Sequence, residues 1–218
     1  MEWLWPSLAF ACSITNINYR YPQKFTDFYD IIAAKSESPV DFFFTSIFNI
    51  LSKSSILSNM DKIASFTVNH LDLLTGIYVS RKDHLESDTI TTFDLRFTRP
   101  NVEPVMDTAA IHALEHLGAT FLRNDPEWKD KTIYFGPMGC RTGFYVIFKG
   151  DLKSENIVDV LRRMIDFVLN FEGTIPGASA RDCGNYLDLN LSMAKYFAKK
   201  YKTEVLENLS AERMNYPE

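Results

Sequence analysis

The segment Ile111-His112-Ala113-Leu114-Glu115-His116 constrains the fold more than any other, because it places two of the chain's four histidines and a carboxylate within a stretch that reads as a packed helix. Pro100 and Pro104 break the chain ahead of it, and Asp107 or Thr108 can cap the helix start. Ile111, Leu114, Leu117, Phe121 and Leu122 supply apolar side chains on more than one side, so other elements must cover this helix. Residues at i and i+4 share a helix face, so both imidazoles can address one ion. Glu115 lies about 100° around the helix from His116, placed to reach a bound water or substrate without acting as a ligand. Buried imidazoles and a carboxylate need partners, and a metal supplies them.

Two histidines leave such an ion short of ligands, since a catalytic site usually draws three from the protein and keeps one position open. The chain has three cysteines, Cys12, Cys140 and Cys183, too few and too odd in number for a disulfide framework and suited to a reducing compartment. Cys183 stands before Gly184 in a loop far downstream of His116. Cys140 stands at the centre of Gly136-Pro137-Met138-Gly139-Cys140-Arg141-Thr142-Gly143, a shaped loop between two strands, Thr132 to Phe135 and Phe144 to Lys149. That loop displays Cys140, and the neighbouring Arg141 is expected to favour its thiolate. Spacing alone leaves either cysteine as the third ligand.

Around these elements the pattern is regular. Phe93, Leu95 and Phe97 alternate with Thr92, Asp94 and Arg96 from Thr89 onward, the period of a half-buried strand, and the alternation by itself puts Asp94 and Arg96 on a solvated face. From Ser154, the residues Ile157, Leu161, Met164, Ile165 and Val168 form one apolar stripe of a helix ending near Gly173. A final helix around Leu189 to Leu209 is expected to turn its lysines to solvent. Residues 1–59 differ in manner: they hold no histidine, carry Phe42-Phe43-Phe44 and a serine-rich end, and show no sustained period. Met60 reads as the initiator, with 1–59 an N-terminal extension outside the fold and 60–218 the functional domain.

At a net charge of −5, with no Lys/Arg-rich run, a general nucleic-acid binder is disfavoured. No stretch approaches the roughly 20 apolar residues of a membrane-spanning helix. The run from Leu4 to Cys12 lacks a basic leader and contains Pro6, so no secretory signal is expected. A cytoplasmic protein is the expectation.

Five motifs in order, Ser65-Phe66-Thr67-Val68-Asn69-His70, Thr92-Phe93-Asp94-Leu95-Arg96-Phe97, His112-Ala113-Leu114-Glu115-His116, Pro137-Met138-Gly139-Cys140-Arg141-Thr142-Gly143-Phe144 and Cys183-Gly184, resemble the S-ribosylhomocysteine lyase (LuxS) family. The resemblance runs from Met60 to the last helix and leaves 1–59 unmatched. It implies that His112, His116 and Cys183 bind the metal, natively Fe2+ with Zn2+ or Co2+ able to substitute. It further implies that Cys140 and Glu115 are the acid/base pair, and that Ser65, His70, Asp94 and Arg96 bind substrate across a homodimer interface. The reaction implied is cleavage of S-ribosylhomocysteine to homocysteine and 4,5-dihydroxy-2,3-pentanedione, the autoinducer-2 precursor, by carbonyl migration and β-elimination. Ala113 stands where the family usually has Thr, Gly136 where Ser is frequent and Asn69 where Asp is common. The fold expected is α+β, an antiparallel sheet packed against helices in a single compact domain.

Two other readings of the residues stand beside this one. H-x-x-E-H is also the inverted zinc motif of a metallopeptidase class, whose third ligand is a carboxylate where this chain offers a cysteine. A non-enzymatic module with a closed structural metal would need a fourth protein ligand, for which His70 and His84 are the spare histidines.

Overall fold

Alternation of side chains across the strands dictates a sheet with two different faces, and a computed structural model, which describes residues 61–218, shows what each face meets. In chain order a short α1 (Ala64–Thr67) leads to β1 (Gly76–His84), β2 (Thr89–Arg96), α2 (Thr108–Asn124), β3 (Thr132–Pro137) and β4 (Gly143–Lys149). A 3-10 turn (Ser154–Ile157) runs directly into α3 (Val158–Asn170), and α4 (Leu191–Tyr201) runs on through a π-helical turn (Lys202–Leu206). The expectations for residues 1–59, including the role of Met60, fall outside the described residues.

The four strands form an antiparallel sheet in the order β1-β2-β4-β3. One set of cross-strand rows is apolar. Ile77, Leu95 and Phe144 lie side by side, as do Val79, Phe93, Val146 and Phe135. With a period of two, all of these side chains leave the sheet on the same face, and there α2, α3 and α4 cover them. The expected α3 stripe, Ile157, Leu161, Met164, Ile165 and Val168, is buried in full in this core. Gly118 lets α2 approach β3: a Cβ there would stand 2.5 Å from the ring of Phe135. Asp107 caps α2, its side chain accepting from the Ala110 amide at 2.9 Å. The fold is α+β with an antiparallel sheet against helices.

The other rows, Gly76/Arg96/Gly143 and Tyr78/Asp94/Tyr145/Gly136, give the sheet a polar and aromatic second face. Here the strand alternation misled. Asp94 and Arg96 are not solvated; they are 1% and 3% exposed. The segment after α4 returns across this face, so that Tyr216 stacks on Tyr78 with ring centroids 4.8 Å apart and its hydroxyl donates to Asp94 Oδ2 at 2.9 Å. Arg213 anchors the return by donating to the Thr75 carbonyl at 2.7 Å.

Two further differences have local causes. The strand β1 is not legible as an alternating run because the register shifts between Val79 and Arg81, leaving Ser80 as the extra residue of a bulge. The lysines of the last helix do not all face solvent: Lys200 is only 16% exposed, donating to the Phe97 carbonyl at 3.2 Å and to Glu103 Oε2 at 3.0 Å. It thereby pins the turn that follows β2, and Glu103 in turn accepts from the Arg99 amide at 2.7 Å.

Candidate metal centre and reactive cysteine

One turn of α2 separates His112 from His116, and their rings meet edge to face with centroids 4.7 Å apart. Each ring is locked from behind. His112 Nδ1 lies 2.9 Å from the Asp188 carbonyl, and His116 Nδ1 lies 2.7 Å from the Pro176 carbonyl. A carbonyl oxygen only accepts, so in both rings Nδ1 is the donor and Nε2 is the nitrogen turned away from the carbonyl, the arrangement of metal-ligating histidines.

Both carbonyls belong to the long connection from α3 to α4, and so does Cys183. Its Sγ lies 3.4 Å from His112 Nε2, and the ligand atoms of His112, His116 and Cys183 all fall within 4.8 Å of one another. Two imidazole nitrogens and a soft sulfur fit Zn2+, Fe2+ or Co2+ better than a hard, oxygen-seeking ion. Among the described residues this is the one group of three candidate ligands found. The connection is itself held: the Asn190 amide donates to the Ala109 carbonyl at 3.0 Å, the Cys183 amide to the Ser179 carbonyl at 3.0 Å, and the Asn185 amide points at Cys183 Sγ from 3.4 Å.

Gly177 marks a close fit behind His116. Its φ of +75° favours glycine, and an added Cβ would stand 3.1 Å from His116 Nδ1. Gly177→Ala is therefore expected to push the His116 ring off its carbonyl and weaken metal affinity about 10- to 100-fold, the usual range for losing such a supporting contact. Competition against a chromophoric chelator measures it.

Cys140 sits exposed at the tip of the β3–β4 hairpin, where the Arg141 amide donates to the Met138 carbonyl at 2.9 Å and the Met138 amide to the Gly143 carbonyl at 2.9 Å. Arg141 takes a left-handed conformation, φ +59°. The guanidinium that meets the thiol is that of Arg96, not the sequence neighbour: Arg96 Nη1 lies 3.8 Å from Cys140 Sγ and also donates to Thr142 Oγ1, which itself lies 3.1 Å from Sγ. Partial burial pushes the Cys140 thiol up, but the Thr142 side-chain and backbone hydrogen bonds and the charge of Arg96 outweigh it, so the thiol sits below the ordinary cysteine range.

Arg96 is held by Asp94 through a buried ion pair to Oδ2. Burial pushes the Asp94 carboxyl up, against the pull of the Arg96 guanidinium, the Tyr216 hydroxyl and, more weakly, His70. The structure thus brings His70, Asp94, Arg96 and Cys140 into one electrostatic neighbourhood. His70 Nδ1 is 2.8 Å from the Val68 carbonyl. Ser65 is carried on α1, which packs against β1, and is half-buried there. Glu115 is half-buried on α2, three residues after His112 and one before His116. Thr142 and Tyr216 escaped the sequence reading, as did the two carbonyls behind the histidines. The Pro176-Gly177 pair signalled a turn, yet nothing in it named His116 as the neighbour.

A helix-borne histidine pair with a thiol beside it, together with a second, activated thiol on a strand hairpin, fits a metal-dependent enzyme of acid–base chemistry. The chain belongs to the S-ribosylhomocysteinase (LuxS) family, whose family model matches residues 63–212. An S-ribosylhomocysteine lyase of Clostridium acetobutylicum is 62% identical over 159 residues, 73% of this chain and 100% of that protein. The lyase of Finegoldia magna is 61% identical over 159 residues, with the same shares covered. That of Borreliella burgdorferi is 51% identical over 158 residues, 72% of this chain and 100% of its own length.

Proposed function

We propose that this chain, a carbon–sulfur lyase acting on S-ribosylhomocysteine, carries out its chemistry with His112, His116 and Cys183 as the ligands of a resident Fe2+ and with Cys140 and Glu115 as its proton carriers. The observation that carries the ligand assignment is the locked tautomer of both histidines with Cys183 Sγ beside them. An ion bound there supplies a Lewis acid able to stabilise negative charge developing on a substrate oxygen. Zn2+ or Co2+ would satisfy the same donors.

Cleaving a thioether by elimination requires a carbonyl placed so that the proton on the intervening carbon becomes acidic. The sugar carbonyl must therefore first move along its chain, each move taking a proton from one carbon and returning it to another. Cys140 suits the role of base because its thiolate forms below the ordinary cysteine range. Glu115, on the same helix as both histidines, suits the second transfer. In the last step a base removes the acidic proton, the electron pair forms the new double bond, and homocysteine leaves as thiolate and gains a proton. Asp94 and Arg96 are assigned to the sugar hydroxyls, since Asp94 Oδ1 and Arg96 Nε are buried without a partner among the described residues and a hydroxyl satisfies both. Ser65 and His70 complete the substrate site.

A homodimer is part of this reading. Phe66 and Leu71, 70% and 75% exposed, flank Ser65 and His70, and apolar surface bordering a site calls for a cover. The working compartment is the cytoplasm, where Cys140 and Cys183 stay reduced; among the described residues no helix is long and apolar enough to cross a membrane. Residues 1–59 are assigned to an extension outside the lyase domain, with Met60 as the start, in keeping with a family match that begins at residue 63. Thiol release from S-ribosylhomocysteine, set beside hydrolysis of a peptide library, tests the reaction: release of homocysteine without peptide cleavage is expected, and the reverse would restore the metallopeptidase.

A further inference from the structure

Tyr216 lies beyond residues 63–212, the part of the chain that matches the family model, yet it touches the buried ion pair behind Cys140. Its hydroxyl donates to Asp94 Oδ2, the same oxygen that receives Arg96, and Oδ1 is left with no partner among the described residues. A carboxylate with both bonds gathered on one oxygen has its second oxygen free to accept from a ligand.

The contacts of this tyrosine are built rather than incidental. Its ring stacks on Tyr78 at an interplanar angle of 8°, and Tyr78 in turn donates to the Leu74 carbonyl at 3.0 Å and contacts the Glu212 carbonyl at 3.2 Å. Ser154 Oγ donates to the Met214 carbonyl at 3.2 Å, and Arg213 to Thr75. Ser80, the bulged residue of β1, lies beside both Tyr216 and Tyr145. Asp94 also lies between Tyr78 on β1 and Tyr145 on β4 in one cross-strand row. Residues 212–214 are thus anchored to β1, to Thr75 ahead of it and to Ser154, just before the tyrosine whose hydroxyl reaches Asp94.

We infer that Tyr216 is a positioning residue for the lyase reaction: it fixes the rotamer and the ionised state of Asp94, so that Oδ1 stays available as an acceptor for a substrate hydroxyl. This rests on the assignment of Asp94 to substrate in the proposed function. The groups that bear on Asp94 are Arg96 from its own strand, Tyr78 from β1, Tyr145 from β4, Tyr201 from α4, Tyr216 and His70. Of the neutral groups among them, Tyr216 donates a hydrogen bond directly to the carboxylate. Removing a donor to a carboxylate disfavours its charged form, so without the hydroxyl Asp94 takes up its proton at higher pH.

Tyr216→Phe in the full chain tests this, since it keeps the ring on Tyr78 and deletes only the hydroxyl. Carbon NMR of carboxyl-labelled aspartate reads the Asp94 titration without any assay of turnover, the Asp94 signal being assigned with Asp94→Asn. The variant is expected to show an Asp94 midpoint at higher pH, an acid limb of kcat/KM displaced in the same direction, and a loss in kcat/KM of about tenfold at neutral pH, mostly in KM. An unmoved Asp94 midpoint would overturn the inference, and so would a moved midpoint with a superimposable pH profile. Failure of the unaltered protein to release thiol would count against the proposed function, while the carboxyl titration would still decide whether Tyr216 holds Asp94.

Discussion

Cys183→Ala should yield a protein that folds but no longer retains its metal through desalting, with thiol release falling by at least three orders of magnitude. The two histidine nitrogens remain locked by the Asp188 and Pro176 carbonyls in this variant, so a weak two-ligand site persists. What is lost is the only anionic donor of the three, and with it the soft ligand that suits Fe2+ or Zn2+. The fold survives because Cys183 is half-buried in a loop whose turn is held by backbone bonds from the Asp182 and Cys183 amides to the Ser179 carbonyl, not by the sulfur. Co2+ loading gives the sharpest readout: the thiolate-to-metal charge-transfer band of the unaltered protein should vanish in the variant. Full metal retention in Cys183→Ala would mean that the sulfur beside His112 is not a ligand.

The second large effect is at Cys140. Cys140→Ala should lose turnover to a similar degree while binding metal at full stoichiometry, because the hairpin tip shares no hydrogen bond with the histidine pair or with Cys183. The unaltered thiol should also react with iodoacetamide at a pH where an ordinary cysteine is still protonated. The sign follows from its environment: a thiol held below its usual range is thiolate from a lower pH upward, so alkylation rises early along the pH axis. Thr142→Val removes one of the hydrogen bonds that stabilise the thiolate and should move that rise to higher pH. Loss of metal in Cys140→Ala would instead mean that the two cysteines carry each other's roles.

These two results separate the halves of the site that the sequence could not. Periodicity identified α2 and its histidine pair, and cap chemistry narrowed the helix start to Asp107 or Thr108, because helix spacing and capping are local rules. The α3 stripe and the β3–β4 hairpin were legible for the same reason. The approach of Cys183 to the histidine pair was not, since His112 and Cys183 meet only when the α3–α4 connection folds back over α2. Nor could local reasoning find the cation beside Cys140. Arg141 is adjacent in sequence, yet its left-handed backbone lies in a tight turn, and Arg96 reaches the thiol across the strand pairing of β2 and β4. The burial of Asp94 was hidden in the same way, because it depends on a segment that returns from beyond α4 to cover the open face of the sheet.

In the proposed function one metal ion, held by His112, His116 and Cys183, is required for cleavage of S-ribosylhomocysteine. Thiol release measured on protein purified without oxygen, stripped with a chelator and then titrated with Fe2+ tests it most directly. The stripped protein should be silent, and activity should rise linearly to a plateau at one ion per chain. Undiminished release from the stripped protein, or a plateau reached only in large excess of metal, would contradict the account.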